Sequence, residues 1–393
     1  MSGAAEPNPR DVLILPPPAA DALVRYGDHR DHVADVRFPA GGAAGPLVIV
    51  IHGGFWRAEY DRAHTGHLAA ALAAEGYTVA QLEYRRTGDP GGGWPGTFDD
   101  IVAGISQIPA LVAEAARASG RPGPPARPLL LVGHSAGGHL ALWYAARAVA
   151  PACTAPPARR GPTTATPSHA ESMPSPADGV PPRAPAHPVD PPDGMEERLV
   201  EGPHAVVADV QDGGAVVGPG VLGRLHAGPL TDPSPPSPTP TATRPSPATS
   251  TNRWTPGPGP LPSPSGPPVP DGVLALAPVA DLVLAHDLDL DGGAVAALLG
   301  GAPGDVPAAY AAADPSPISP LRSRTVILHG TADAQVPIRL SERYASAAAR
   351  GNHDVALIEL HNADHFALID PRSSVWPRVV SALRSLGSGE HVH

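Results

Sequence analysis

Short apolar runs alternate with amphipathic stretches along two segments of the chain. Uninterrupted runs rich in Val, Ile and Leu are typical of strands that are buried on both faces of a parallel sheet. They predict strands at 47–51, 77–82, 129–132, 273–277, 325–328 and 355–360. The stretches with helical periodicity predict helices at 64–75, 97–118, 138–149, 338–350 and 374–386. This alternation indicates an α/β fold with a mostly parallel, doubly wound sheet flanked by helices.

A proline-rich stretch separates the two segments. Residues 151–270 hold more than half of the 54 prolines, mixed with Ser, Thr, Gly and Ala. Proline lacks a backbone N–H and disfavours helix at the preceding residue, so we expect a long disordered insertion, with 196–226 best suited to local structure. The predicted organisation is an N-terminal extension at 1–30 and one α/β domain formed by 31–150 and 271–388.

A candidate nucleophile lies between a predicted strand and a predicted helix. The segment Gly133 to Gly137 reads GHSAG and directly follows the apolar run 129–132. G-x-S-x-G in a strand–turn–helix context is the nucleophile elbow, a tight turn whose small residues let the serine stand at the start of the helix. Ser135 is therefore the predicted nucleophile, and the backbone N–H of Ala136 is well placed to stabilise negative charge.

A serine needs a histidine base to take its proton. In elbow-containing folds the histidine comes last in the chain, in the loop after the final strand. His365 occupies that loop, whereas His353 precedes the strand and His361 falls at its end. His365 is therefore the predicted base, and His353 and His361 are the weaker candidates.

The base needs a carboxylate to orient it, and this acid follows the penultimate strand. Asp333 comes shortly after the apolar run 325–328 and is the predicted acid. Asp281, which follows the strand 273–277, is the fallback. Asp364 adjoins the histidine, but it would have difficulty turning back on that ring.

The segment His52 to Trp56 reads HGGFW and follows the first buried strand, where oxyanion donors belong. We predict that the backbone N–H groups of Gly54 and Phe55, with that of Ala136, form the oxyanion hole. Bulky aromatic residues are scarce in this chain, so Trp56 and Trp94 are candidates for shaping a substrate pocket, with core packing as the alternative.

Taken together, HGGFW and the segment 133–139, GHSAGGH, resemble the esterase branch of the α/β hydrolases. The H-G-G-x-W form is similar to that of kynurenine formamidases (arylformamidases). The resemblance covers about 31–147 and 271–386, and it implies an α/β-hydrolase fold, a Ser-His-Asp triad and an ester or amide substrate. The leading hypothesis is a serine hydrolase that cleaves a carboxylic ester or activated amide through an acyl-enzyme. The alternatives are an arylformamidase acting on N-formylkynurenine, and a catalytically silent hydrolase-fold binding protein.

The composition of the chain limits which classes of binding partner are expected. A net charge of −11, with no long basic cluster, argues against nucleic acid. A lone Cys153 excludes an internal disulfide, and no motif indicates a metal or cofactor. No signal-like start and no stretch of roughly 20 apolar residues is apparent, which predicts a cytoplasmic protein without a membrane partner.

The oligomeric state and the role of the insertion stay open at this stage. The insertion joins a helix end to a strand start, a connection that lies opposite the carboxyl edge of a parallel sheet, where catalytic loops gather. We therefore expect it to be remote from Ser135. A proline-recognising partner, a passive spacer or an unusual gene model would each account for it.

Overall fold

The computed structural model describes residues 8–41, 44–148, 267–316 and 323–388. Nearly all of the predicted insertion at 151–270 lies outside these residues, and so do Cys153 and the segment 196–226. The predictions made for them therefore remain predictions.

Within the described residues, the strands are β1 (Ala22–Arg25), β2 (Val33–Arg37), β3 (Leu47–Ile51), β4 (Thr78–Leu82), β5 (Leu129–His134), β6 (Gly272–Leu276), β7 (Arg324–Gly330) and β8 (Val355–Leu360). The α-helices are α1 (Gly66–Ala74), α2 (Gly96–Ala118), α3 (Ala136–Arg147), α4 (Leu282–Asp287), α5 (Ala294–Leu299), α6 (Pro307–Ala313), α7 (Arg339–Arg350) and α8 (Trp376–Ser388). Short 3-10 helices cover Pro9–Leu13, Arg62–Thr65 and His365–Ile369.

All these strands belong to one sheet, in the order β1-β2-β4-β3-β5-β6-β7-β8. The strands from β3 to β8 run parallel, while β2 is antiparallel to both of its neighbours. Because parallel strands end at the same edge of a sheet, the loops after β3, β5, β7 and β8 meet there. The predicted mostly parallel, doubly wound sheet is confirmed, and its carboxyl edge gathers the segments predicted to carry chemistry.

The sheet begins earlier in the chain than the predicted domain boundary at residue 31. Strand β1 lies within the predicted N-terminal extension and pairs with β2, with Leu23 opposite Asp35. It forms one edge of the sheet, where Leu23 is 56% exposed. Residues from Ala22 onward therefore belong to the sheet. The sequence does not predict this strand, because β1 has only four residues and the last of them is charged.

Helices cover both faces of the sheet, which explains the continuous apolar strands. Alternate residues of a strand point to opposite faces. On β3, Ile49 and Ile51 share a core with Ile101 and Ile105 of α2, while Val48 and Val50 belong to a second core. The second core also contains residues of α1 and α8.

Among the described residues, α2 is the one helix that is long and apolar enough to cross a membrane by length and composition. Its Ile101, Ile105 and Ile108 are fully buried within the core on one face of the sheet. Packing against the sheet accounts for the apolar character of these positions.

Candidate active site

Ser135 lies in a strained turn between β5 and α3. Its φ angle of 56° and ψ of −118° are unusual for a residue that carries a Cβ atom. The surrounding backbone holds this conformation: the Ser135 N–H donates to the Leu276 carbonyl oxygen at 2.9 Å, and the Ser135 carbonyl accepts from the N–H groups of His139 and Val279. The serine is thus fixed at the N-terminus of α3, as the elbow motif predicts.

Glycines around the elbow are required by close backbone contacts. A Cβ atom on Gly133 would lie 2.2 Å from the Gly137 carbonyl oxygen, and one on Gly137 would lie 2.1 Å from the Ile51 carbonyl oxygen. Both distances are far below van der Waals contact, so a larger residue at Gly133 would push α3 away from β5, and one at Gly137 would push α3 away from β3. These contacts explain the spacing of the GHSAG motif in physical terms.

The predicted base and acid are in direct contact. His365 begins the short helix after β8, and its Nδ1 lies 2.6 Å from Oδ2 of Asp333, which follows β7. The Asp333 side chain is fully buried and that of His365 is 3% exposed. An ionised carboxylate only accepts hydrogen bonds, so Nδ1 of His365 carries the hydrogen and Nε2 is left as the basic nitrogen.

Asp333 is held as a carboxylate by several donors. Its Oδ1 accepts from the backbone N–H groups of Gln335 and Val336, each at 2.8 Å. His329 lies on the other side, with Nε2 at 3.4 Å from Oδ2. Burial raises the pKa of the Asp333 carboxyl, but hydrogen bonds from His329 and His365 outweigh burial and hold this pKa well below its usual range.

The alternative acids, Asp281 and Asp364, each accept a hydrogen bond at the start of a helix. Asp281 caps α4 by accepting from the Leu284 N–H, and it pairs with Arg343. Asp364 accepts from the Phe366 N–H at 2.9 Å and caps the 3-10 helix after β8. Asp281 and Asp364 thus have structural partners of their own, whereas Asp333 contacts the His365 ring.

Two residues near this pair carried no clear signal in the sequence. His329 is fully buried and bonds Ser341 Oγ through Nδ1 at 2.7 Å, so it supports Asp333 from behind. His134 bonds the His365 carbonyl oxygen through Nε2 at 3.1 Å, and the two rings lie 4.5 Å apart. Because His134 precedes the nucleophile directly, this contact brings the His365 loop beside Ser135.

His134 acts as a neutral imidazole in this contact. Burial lowers its pKa well below the ordinary value for histidine, and the nearby rings of His365 and His64 lower it further. A carbonyl oxygen only accepts, so Nε2 of His134 carries the hydrogen that it donates to His365.

The predicted oxyanion loop turns back sharply after β3. Gly54 has a φ angle of 105° and Phe55 one of 48°, both in the left-handed region. Neither backbone N–H donates to an acceptor within the described part of the chain. A Cβ atom on Gly53 would lie 2.9 Å from Ser135 Cβ, so this loop lies directly against Ser135. Together with Ala136 at the start of α3, the loop offers unpaired donors next to Ser135.

Of the two predicted pocket residues, Trp56 is placed in the core. Its side chain is fully buried and packs edge-on against His139, with ring centres 5.2 Å apart. This burial fits core packing, the alternative that the sequence left open for Trp56, and its role in shaping a substrate pocket stays a prediction. Trp94 is partly buried, and its ring packs against Phe98 at 4.9 Å.

The described residues contain no group of three or more His, Cys, Asp or Glu residues arranged to hold a metal ion. The serine, the histidine, the carboxylate and the free N–H groups are candidates for a nucleophile, a base, an orienting acid and oxyanion donors.

Comparisons with known proteins agree with this architecture. The BD-FAE family model matches residues 34–151, which include the oxyanion loop and the elbow. No curated protein sequence matches the chain significantly.

Several solved structures share the fold. A truncated carbohydrate esterase from gut microbiota matches with a TM-score of 0.57 at 14% identity, over 95% of this chain and 100% of that one. An acetyl ester-xyloside bifunctional hydrolase from Caldicellulosiruptor lactoaceticus gives 0.53 at 13% identity, over 94% and 97%. Esterase B from Lactobacillus rhamnosis gives 0.54 at 14% identity, over 97% and 90%. The sheet order, the elbow and these matches together identify the chain as a protein with the α/β-hydrolase fold.

Proposed function

We propose that the protein is a serine hydrolase that cleaves carboxylic esters through an acyl-enzyme, with Ser135 as nucleophile, His365 as base and Asp333 as the acid that orients the base. The observation that carries this proposal is the 2.6 Å contact between His365 Nδ1 and Asp333 Oδ2. It leaves Nε2 of His365 basic, in a loop that His134 ties to the nucleophile elbow. A purely structural histidine has no need of this arrangement beside a strained serine.

In the first half of the reaction, Ser135 Oγ attacks the ester carbonyl carbon while its proton passes to Nε2 of His365. The carbonyl oxygen gains negative charge, and the N–H groups of Gly54, Phe55 and Ala136 stabilise it. The buried Asp333 carboxylate stabilises the imidazolium that forms. As the intermediate collapses, the bond to the alcohol breaks and Nε2 returns the proton to the leaving alkoxide.

In the second half, water attacks the acyl group on Ser135 while Nε2 of His365 takes its proton. The same donors stabilise the second oxyanion, and the proton returns to Ser135 Oγ as the carboxylic acid leaves. No metal or cofactor is needed for these steps.

The names of the matching structures suggest where to begin with substrates. A carbohydrate esterase and an acetyl ester-xyloside hydrolase both share this fold, so acetylated sugars are the first substrate class to test. Fold alone does not determine a substrate, and simple aryl acetates provide an unbiased reference.

Two alternatives to ester hydrolysis also need to be tested. The HGGFW motif favours an arylformamidase acting on N-formylkynurenine, whose amide would be opened by the same residues. A catalytically silent binding protein could retain the fold, but nucleophile, base, acid and oxyanion donors all lying together argues against it.

The test offers wild-type protein p-nitrophenyl acetate, an acetylated xylo-oligosaccharide and N-formylkynurenine. We expect a stoichiometric burst of p-nitrophenol, and acid quenching should trap an acetyl group on the peptide that contains Ser135. Faster turnover of N-formylkynurenine than of both esters would favour the arylformamidase. If none of the three substrates were turned over and a p-nitrophenyl phosphonate did not label Ser135, the result would support the catalytically silent binding protein.

The Asp333→Asn variant tests the orienting role of the acid. The asparagine oxygen would still accept from the Gln335 and Val336 N–H groups, which turns the NH₂ group toward Nδ1 of His365. His365 would then carry its hydrogen on Nε2, the wrong nitrogen for a base. We expect kcat for p-nitrophenyl acetate to fall by about 10⁴-fold.

The matched control for this variant is Asp281→Asn, which changes the fallback acid in the same way. Asparagine also caps helices, so kcat should stay within about twofold of wild type in this variant. A large loss in Asp281→Asn with little loss in Asp333→Asn would reverse the assignment of the acid.

A further inference from the structure

A buried histidine–carboxylate pair lies beneath the oxyanion loop. His52 follows β3 and is fully buried, and Glu83 follows β4 with its side chain 2% exposed. The Nε2 atom of His52 lies 2.8 Å from Oε1 of Glu83. These residues lie outside the triad, and neither was singled out for a role from the sequence.

Both ring nitrogens of His52 face oxygen atoms that accept hydrogen bonds. Its Nδ1 lies 2.8 Å from the Gly53 carbonyl oxygen, which has no hydrogen to give. Its Nε2 faces Glu83, which likewise has no hydrogen if the carboxyl is ionised. A neutral imidazole has only one N–H, so the charge state of Glu83 decides how many hydrogens His52 carries.

The other neighbours of Glu83 are all donors. Arg86 Nη1 lies 2.8 Å from Oε1, and Oε2 accepts from the backbone N–H of Arg62 at 3.0 Å. The Arg62 guanidinium adds a contact of 3.3 Å to the same oxygen. Burial raises the pKa of the Glu83 carboxyl, but His52 and Arg86 outweigh burial and hold the pKa below its usual range. Glu83 is therefore a carboxylate.

We infer that Glu83 holds His52 as an imidazolium and that His52 is a positioning residue which aims the Gly54 N–H at the oxyanion; the second part rests on the proposed function. The Nδ1–H of His52 fixes the direction of the Gly53 carbonyl. In a planar trans peptide, the carbonyl and the following N–H point in opposite directions. Holding the Gly53 carbonyl toward His52 therefore turns the Gly54 N–H away from it, to the other side of the loop.

The remaining neighbours of His52 are compatible with an imidazolium held in one orientation. The Tyr84 ring stacks on the imidazole at 4.4 Å, and its hydroxyl donates to the His52 carbonyl oxygen at 2.8 Å. His64 meets the ring edge-on at 5.8 Å, and burial lowers the pKa of His64 to about 4, so it is neutral. The charged groups that face His52 are thus the Glu83 carboxylate and, behind it, the guanidinium groups of Arg86 and Arg62.

The kinetic test compares Glu83→Gln and His52→Phe with a matched control, Asp100→Asn. Asp100 is another buried carboxylate between a histidine and an arginine, His32 and Arg85, but it does not contact the oxyanion loop. For p-nitrophenyl acetate, we expect kcat to fall about tenfold in Glu83→Gln and about 100-fold in His52→Phe, with KM within about twofold. Asp100→Asn should lower the midpoint of thermal unfolding but leave kcat unchanged. Equal kcat losses in Glu83→Gln and Asp100→Asn would overturn the positioning role.

The second test measures the protonation of the two ring nitrogens of His52 and does not depend on enzymatic activity. In ¹⁵N NMR at pH 7, both ring nitrogens of His52 should be protonated, in wild type and in Ser135→Ala alike. The signals are assigned by their loss in His52→Phe or, if that variant does not fold, in His52→Gln. Two protonated nitrogens support the inferred imidazolium whatever the ester activity. A single protonated nitrogen overturns it, even if ester hydrolysis depends on Ser135.

Discussion

The Ser135→Ala variant should lose about 10⁶-fold in kcat for p-nitrophenyl acetate, the scale on which a triad enzyme depends on its nucleophile. Alanine removes only Oγ and keeps the Cβ atom that the strained turn at Ser135 already accommodates. The Ser135 N–H and carbonyl would keep their bonds to Leu276, His139 and Val279. The fold should therefore survive, and the loss should appear in kcat.

Ser119→Ala is the matched control, because Ser119 is an exposed serine at the end of α2 whose hydroxyl donates to the Ala115 carbonyl oxygen. Its kcat should equal that of wild type. If Ser135→Ala retained more than about a tenth of wild-type kcat, another nucleophile would be responsible. In that case, acid quenching of the wild-type protein should trap no acetyl group on Ser135.

The His365→Ala variant should show a loss of similar size, because a serine hydroxyl is a weak nucleophile without a base. We expect kcat to fall by about 10⁶-fold. Asp333 would lose one donor but keep the two backbone N–H groups and His329, so it stays a carboxylate in a folded protein. The oxyanion donors remain, and they leave a slow residual reaction above that of water.

His361→Ala removes an exposed histidine four residues earlier and should leave kcat unchanged. The double variant Ser135→Ala/His365→Ala gives a further check, since residues that act as a unit are not additive. Its kcat should be close to that of either single variant. If the two losses multiplied instead, the serine and the histidine would act in separate steps or sites.

Strongly apolar elements were predictable from the sequence. The strands from β3 to β8 begin and end within two residues of the predicted runs. The strands from β3 to β7 pair on both sides and are almost entirely buried, so burial leaves a continuous apolar pattern. The helices α4 to α6, the edge strand β1 and its neighbour β2 were not predicted. The three helices complete about two turns at most, which is too few periods to recognise, and charged residues end or interrupt the apolar pattern of β1 and β2.

Positions in the candidate site were predictable where chain order and local turns determine them. Ser135, Asp333 and His365 each come shortly after a strand with a clear apolar run, in the chain order expected for a triad. They could therefore be predicted from the sequence. Interactions between side chains far apart in sequence could not be predicted. His52 and Glu83 meet only because β3 and β4 are neighbours in the sheet. The burial of Trp56 could not be predicted for a related reason, since its ring packs against His139, which lies far away in the sequence.

The proposed nucleophile and the proposed base follow strands that differ in how well the sheet supports them. Strand β5 pairs on both sides and is buried throughout, whereas β8 forms an edge and most of its residues are only partly buried. Opening an edge strand costs less free energy than unfolding the whole domain. Fraying of β8 would carry the His365 loop away from Ser135 while the centre of the sheet stayed folded. We therefore expect heating to abolish ester hydrolysis at a lower temperature than the one at which the core unfolds.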